Sequence, residues 1–329
     1  MSAVMRKGLF LIILLLVLSA GAVSAQPPPL DPISTLEAGD FRALAVTVDG
    51  DRLLVADAQN MQVRIYDFTD ATKPKMLTAS DVSGTPVLLA GGEDFGLVAV
   101  KTEGETDGVE VVTPPIPGPN AEYAPGLYID IDKNPKALAI SPDDHWGLSI
   151  SEHGYTLMQI NSASDIPSYQ VGETLVGAAL SNSTAYLLRG QNLEASALDK
   201  LEAMQADKTL ALDGDPTFIM LNADATEGVV VLDGNRLVFF DPAKLVKTGE
   251  FTVKGNAITG VHFLSKGRST YLVVTQQDSN RITLLNAADP ANVTALPGSE
   301  SLSKPIQALV VFKQLIIVTD GVTISIFSA

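Results

Sequence analysis

Residues 260–286 run GVHFLSKGRSTYLVVTQQDSNRITLLN. Three apolar stretches stand out, Gly260–Phe263, Leu272–Thr275 and Ile282–Asn286, with Lys266-Gly267 and a polar Gln/Asp/Asn segment between them. Short apolar stretches punctuated by turn residues are the pattern of an antiparallel meander. The middle stretch recurs along the chain as Leu53–Asp57, Gly96–Lys101, Gly147–Ser151, Tyr186–Arg189, Val229–Asp233 and Ile316–Asp320. These copies lie roughly 44 residues apart, the period of a four-stranded propeller blade.

The flanking stretches recur in step. Upstream lie the inner-strand candidates Ala43–Val48, Val87–Ala90, Ala137–Ile140, Gly177–Leu180, Phe218–Leu221 and Gln307–Val311. Downstream lie Val63–Asp67, Val109–Thr113, Thr156–Asn161, Leu193–Leu198, Leu237–Asp241 and Val322–Phe327. The strands are apolar nearly throughout, as expected where stacked sheets bury both faces. Only Ser328 and Ala329 follow the last third strand, so the seventh unit lacks an outer strand, while an unassigned strand, Ile33–Leu36, precedes the first unit. Pairing these two predicts an all-β, seven-bladed β-propeller over 31–329, closed by its N-terminal strand, which removes the open sheet edges. Two units carry extra segments, a proline-rich excursion from Pro114 to Pro125 and Asp199–Ala206, which has the composition of a short helix.

The fifteen residues Tyr271 to Leu285 resemble the strand, Ser-Asn turn and strand of YVTN-type exported propeller repeats. Ile140-Ser141-Pro142-Asp143-Asp144 is similar to the Ser-Pro-Asp turn of those repeats and of TolB-like propellers. The segments Asp67–Pro74 and Asn286–Asn292 look like the Asp-rich link of LVIVD-type repeats. With one tryptophan and no Trp-Asp pair, the units fit WD-type repeats poorly, although the resemblance implies the same WD40-like superfamily. It implies a propeller and export, and no particular activity.

Export is also readable directly. Arg6-Lys7, the apolar run Leu9–Leu18 and the small residues Val23-Ser24-Ala25 have the order of a secretory signal peptide, 1–25, cleaved after Ala25. The apolar run is too short to span a bilayer, so no membrane span is expected after cleavage and the destination is periplasmic or secreted. Cleavage removes two cations and no acid, taking the formal charge from −16 to −18. Residues 26–30, with Pro27-Pro28-Pro29, read as a stiff spacer. Lys and Arg number 22 against 38 Asp and Glu, so nucleic acid is excluded as a partner by repulsion. There is no cysteine, which excludes disulfides, thiolate metal sites and a cysteine nucleophile.

The three histidines, His145, His153 and His262, show no metal-ligand spacing. The pairs Asp49/Asp51, Asp130/Asp132, Asp213/Asp215 and Asp278/Asn280 lack the remainder of a calcium loop. No phosphate loop or serine elbow occurs, so no catalytic residue, metal or cofactor is assigned. Asn182-Ser183-Thr184 and Asn292-Val293-Thr294 match the glycosylation triplet.

One positional argument remains. In a propeller, the loops entering the inner strands and the turns between second and third strands share the face around the channel mouth. The first set places Asp40, Asn134, Asp215, Asn256 and Lys304 there. The second places Gln59, Asn60, Glu105, Asp107, His153, Gln191, Asn235, Gln277, Asn280 and Arg281. So polar and varied a face suits hydrogen-bonded recognition of a protein or an envelope polymer by a monomeric, non-enzymatic binding module. Two alternatives stay open: a lactone-hydrolase type of propeller enzyme, which would need Asp215, His153 and Arg281 brought together, and a structural surface component that self-assembles.

Overall fold

The computed structural model describes residues 32–36, 39–47, 51–114, 127–160, 168–170, 175–203, 206–266, 269–296 and 302–329. The signal peptide, the spacer and nearly all of the proline-rich excursion lie outside these residues. Twenty-eight strands form seven four-stranded antiparallel sheets. The first sheet is β2 (Phe41–Thr47), β3 (Arg52–Asp57), β4 (Gln62–Asp67) and β5 (Lys75–Asp81). The second is β6 (Thr85–Gly91), β7 (Gly96–Lys101), β8 (Asp107–Val112) and β9 (Tyr128–Ile131). The third is β10 (Ala137–Ile140), β11 (Trp146–Ile150), β12 (Gly154–Gln159) and β13 (Ser168–Gln170). The fourth is β14 (Leu175–Leu180), β15 (Thr184–Arg189), β16 (Asn192–Ala197) and β17 (Lys208–Ala211). In the fifth, β18 (Pro216–Leu221) leads to β19 (Gly228–Leu232), β20 (Arg236–Asp241) and β21 (Val246–Thr252). In the sixth, β22 (Ile258–Lys266) leads to β23 (Ser269–Gln276), β24 (Ile282–Asn286) and β25 (Thr294–Ala295).

The seventh sheet joins β26 (Ala308–Phe312), β27 (Leu315–Thr319) and β28 (Ile324–Ser328) to β1 (Ser34–Leu36). β1 pairs antiparallel with β28 through Ser34↔Ile326, Thr35↔Ser325 and Leu36↔Ile324, and the Ile33 N–H donates to the Ile326 carbonyl at 2.8 Å. Segments from both ends of the described chain thus build one blade. The short helix expected at Asp199–Ala206 is a 3-10 segment over Leu198–Ala203.

The second strands explain the apolar repeat. Leu53, Leu54, Val55 and Ala56 are fully buried, as are Val229 to Leu232. Alternate residues of each strand pack against the preceding and the following blade. Leu53 and Val55 join a cluster with Ile317 and Ile324 of the last blade, and Leu54 joins Val98 and Val100 of the second. Burying such side chains contributes about 1.5–3 kcal/mol each.

Five inner strands share an irregularity invisible in the sequence. Their register shifts at the second or third position, between Phe41 and Ala43, Pro86 and Leu88, Leu175 and Gly177, Pro216 and Phe218, and Ile258 and Gly260. A bulge re-aims the extra side chain, here at the start of the strand nearest the channel.

His262, on β22, illustrates the seam between blades six and seven. Burial pushes its imidazole down to about 4, against the pull of a hydrogen bond to the Leu309 backbone. The residue as a whole is only partly buried from water, so crowding by surrounding protein atoms, not complete dehydration, sets the shift. Since the folded value lies below the ordinary 6.5, the unfolded chain takes up the proton first as pH falls. Stability from this group is therefore complete above about pH 6.5 and is lost towards pH 4, by up to roughly 3 kcal/mol. Urea midpoints at pH 7 and 4.5 should converge in the His262→Gln variant relative to the parent; an unchanged difference would contradict this assignment.

Candidate functional site

The face predicted from the repeat is built by a recurring clamp. Among the described residues, the loops entering the inner strands of blades one, two, three, five, six and seven are gripped by backbone hydrogen bonds from the second–third turn of the same blade, of the preceding one, or of both. Ala58 donates to the Asp40 carbonyl and Phe41 to that of Gly321, both at 2.9 Å. Glu152 donates to Lys133 at 3.0 Å, Asp233 to Asp215 at 2.9 Å, Gln277 to Ala257 at 2.7 Å and Leu302 to Asn280 at 2.8 Å.

Side chains reinforce the same grip, and this occupies many of the predicted residues. Asp107 is 2% exposed and accepts from the Thr102 and Asn134 N–H groups, with the Lys133 ammonium 3.1 Å away. Burial pushes its carboxyl up, but these donors outweigh it and hold it below the usual range. Asn60 donates to the fully buried Asp57, which also pairs with Arg64. The Asn134 amide donates to Glu152 at 2.7 Å, and the His153 ring lies 2.9 Å from Asp132. Gln191 donates to Asp215 at 3.1 Å, Asn256 to the Gln277 carbonyl at 2.9 Å and Asn280 to the Leu302 carbonyl at 2.6 Å. The half-buried Asn235 accepts from Val253 through its carbonyl. Gln59, Glu105, Gln277, Arg281 and Lys304 are exposed. The enzyme trio is spread out: His153 belongs to blade three, Asp215 to the entry of blade five and Arg281 to blade six, and the first two are bonded to neighbours in their own loop pairs.

Of the fifteen residues, Asp40 lines the cavity at the channel mouth. That cavity, about 390 Å³, is formed by Asp40, Arg42, Ala58, Thr85, Val87 and Gln307, from blades seven, one and two. Arg42 and Val87 occupy the bulged positions of β2 and β6. Arg42 pairs with Asp40 at 2.7 Å, both side chains remaining well exposed. A Cβ on Gly321, whose φ is +90°, would meet the Gln307 amide at 2.7 Å, so this close approach requires glycine. On the turns of blades one and seven, Met61 is 51% and Val322 41% exposed.

Arg42 and Thr85, which the repeat sets just ahead of inner strands, and Val87 and Gln307, which it makes the first residues of inner strands, are left out of the sequence reading. In the structure Arg42 and Val87 are bulged residues of β2 and β6, and Gln307 precedes β26. Met61 was legible as a large apolar side chain in a turn. Val322 corrects an expectation, since the repeat makes it the first residue of a third strand. Asp320 accepts from the Val322 and Thr323 N–H groups at 2.9 and 2.8 Å, holding them in a turn, and β28 begins only at Ile324.

No protein-family model and no curated protein matches the chain. Among solved structures, a chain in the "Crystal Structure of Mitotic Checkpoint Complex" aligns with a TM-score of 0.69 at 10% identity. The alignment covers 91% of this chain and 95% of that one. The chain is a seven-bladed β-propeller. With 1544 solved chains matching it, the likeness defines the architecture and not an activity.

Proposed function

We propose that this propeller is an exported, non-catalytic binding module, built from YVTN/LVIVD-type repeats, that recognises a protein through the channel-mouth face of blades seven, one and two. The observation that carries the reading is the cavity at Arg42 and Gln307 flanked by the exposed Met61 and Val322. Exposed apolar groups beside a polar concavity with an arginine have the composition of an interaction hot spot. The remaining polar residues of the face are largely engaged in holding loops together, which gives a rigid platform and lowers the ordering cost of binding. The signal-peptide pattern supports export, and a periplasmic or secreted destination follows from it.

The test is affinity capture from envelope extract, read by mass spectrometry. The parent should enrich a partner that the Met61→Asp/Val322→Asp variant loses by about tenfold or more. Asp224→Lys, on the opposite face, should retain it. Equal capture by all three proteins would overturn the face assignment.

A further inference from the structure

Resting on that reading, we infer that the same face takes an acidic segment of the partner polypeptide on an arc of three cations, Lys254, Arg281 and Lys304. All three are exposed and none forms an ion pair among the described residues. The fold gathers them around one hairpin. Lys254 sits in the loop entering blade six, where its carbonyl accepts from the Gln276 amide at 3.2 Å. Arg281 follows Asn280, whose amide and carbonyl hold both backbone groups of Leu302. Lys304 lies between Leu302 and Ile306, and the Ile306 N–H donates to the Ser279 carbonyl at 2.9 Å. Asp278, at the hairpin tip, is the one carboxylate among the described residues of these loops; with Glu300, which lies outside the described residues, the loops carry three cations against two carboxylates.

The contrast with the rest of the molecule gives the arc its meaning. The chain carries a formal charge of −16. On blades four and five, Arg189 is paired with Glu194, and Arg236 is shared between Asp213 and Asp233. A short acidic segment on blade six meets unpaired cations, whereas a long polyanion would run on to those carboxylates. The loop carrying Lys304 continues to Gln307 at the cavity, beside Gly321 and the exposed Val322. An acidic polypeptide with a neighbouring apolar side chain satisfies both halves of this track; a polysaccharide or nucleic acid satisfies only the first.

Fluorescence anisotropy with a labelled Glu/Leu peptide of about 12 residues tests this. Binding should weaken by about tenfold or more in Lys254→Glu/Arg281→Glu/Lys304→Glu and by several-fold in Val322→Asp, and should fall with added salt. Lys136→Glu, an exposed cation on blade three, should stay within about twofold, and unchanged thermal melting should confirm that each variant is folded. The inference is overturned if a Gln/Leu peptide binds equally well or if the triple variant binds normally. It is also overturned if dextran sulfate competes fully while Val322→Asp has no effect. If the captured partner depends on Met61 and Val322 but not on the three cations, the binding-module reading stands and this one falls.

Discussion

The oxidised Thr35→Cys/Ser325→Cys protein is expected to unfold roughly 10 °C above its reduced form. Thr35 and Ser325 are direct partners across β1 and β28, and opposed residues of an antiparallel pair lie at a Cα separation that a disulfide accepts. Without native cysteines, the bridge has no competitor. Joining the two ends closes nearly the whole chain into one loop, worth about 5 kcal/mol in the chain-entropy limit. Native contacts should change little, since Thr35 is exposed and Ser325, though buried, is small. Melting under oxidising and reducing conditions reads the difference. Failure of the bridge to form under mild oxidation would show that β1 does not lie on β28.

Asp144→Ala should lower stability by about 3 kcal/mol, roughly 5 °C in melting temperature for a chain of this size. Asp144 is 4% exposed and its carboxylate accepts from three successive backbone N–H groups, Glu93 at 2.8 Å, Asp94 at 2.5 Å and Phe95 at 3.0 Å. It therefore ties the first turn of blade three to that of blade two. Burial pushes its carboxyl up, and the three donors offset only part of that rise. Alanine leaves these N–H groups without their acceptor, while asparagine keeps one oxygen and should cost about half as much. A Cβ on Gly92 would lie 1.6 Å from an Asp144 oxygen, so Gly92→Ala should cost a similar amount. An Asp144→Ala protein that melts with the parent would remove the tie from the account.

What the sequence shows, and what it hides, follows from the range of the interactions. Strands buried on both faces need apolar side chains at every position, so Val229–Leu232 or Leu53–Ala56 announce themselves. The unpaired strand before the first unit was legible for the same reason, because an edge must be covered. The Asp144 tie spans about fifty residues, and Ser141-Pro142-Asp143-Asp144 alone shows only a turn. Polar turn residues marked out the channel-mouth face but not the groups available on it. Asp107, Asn60 and Asn280 look like ligands in the sequence and are spent on the clamp. Val87 reads as the first residue of a strand and Arg42 as the residue just before one, yet their bulges bring both to the cavity.

The most direct measurement is site-specific photo-crosslinking in the envelope of the source cell, with a benzophenone side chain at Val322 or, as the reference, at Asp224. The account predicts one dominant crosslinked protein from position 322, absent at 224 and suppressed by Arg42→Glu. Crosslinks of equal yield from both positions, or from 224 alone, would contradict recognition through the channel-mouth face.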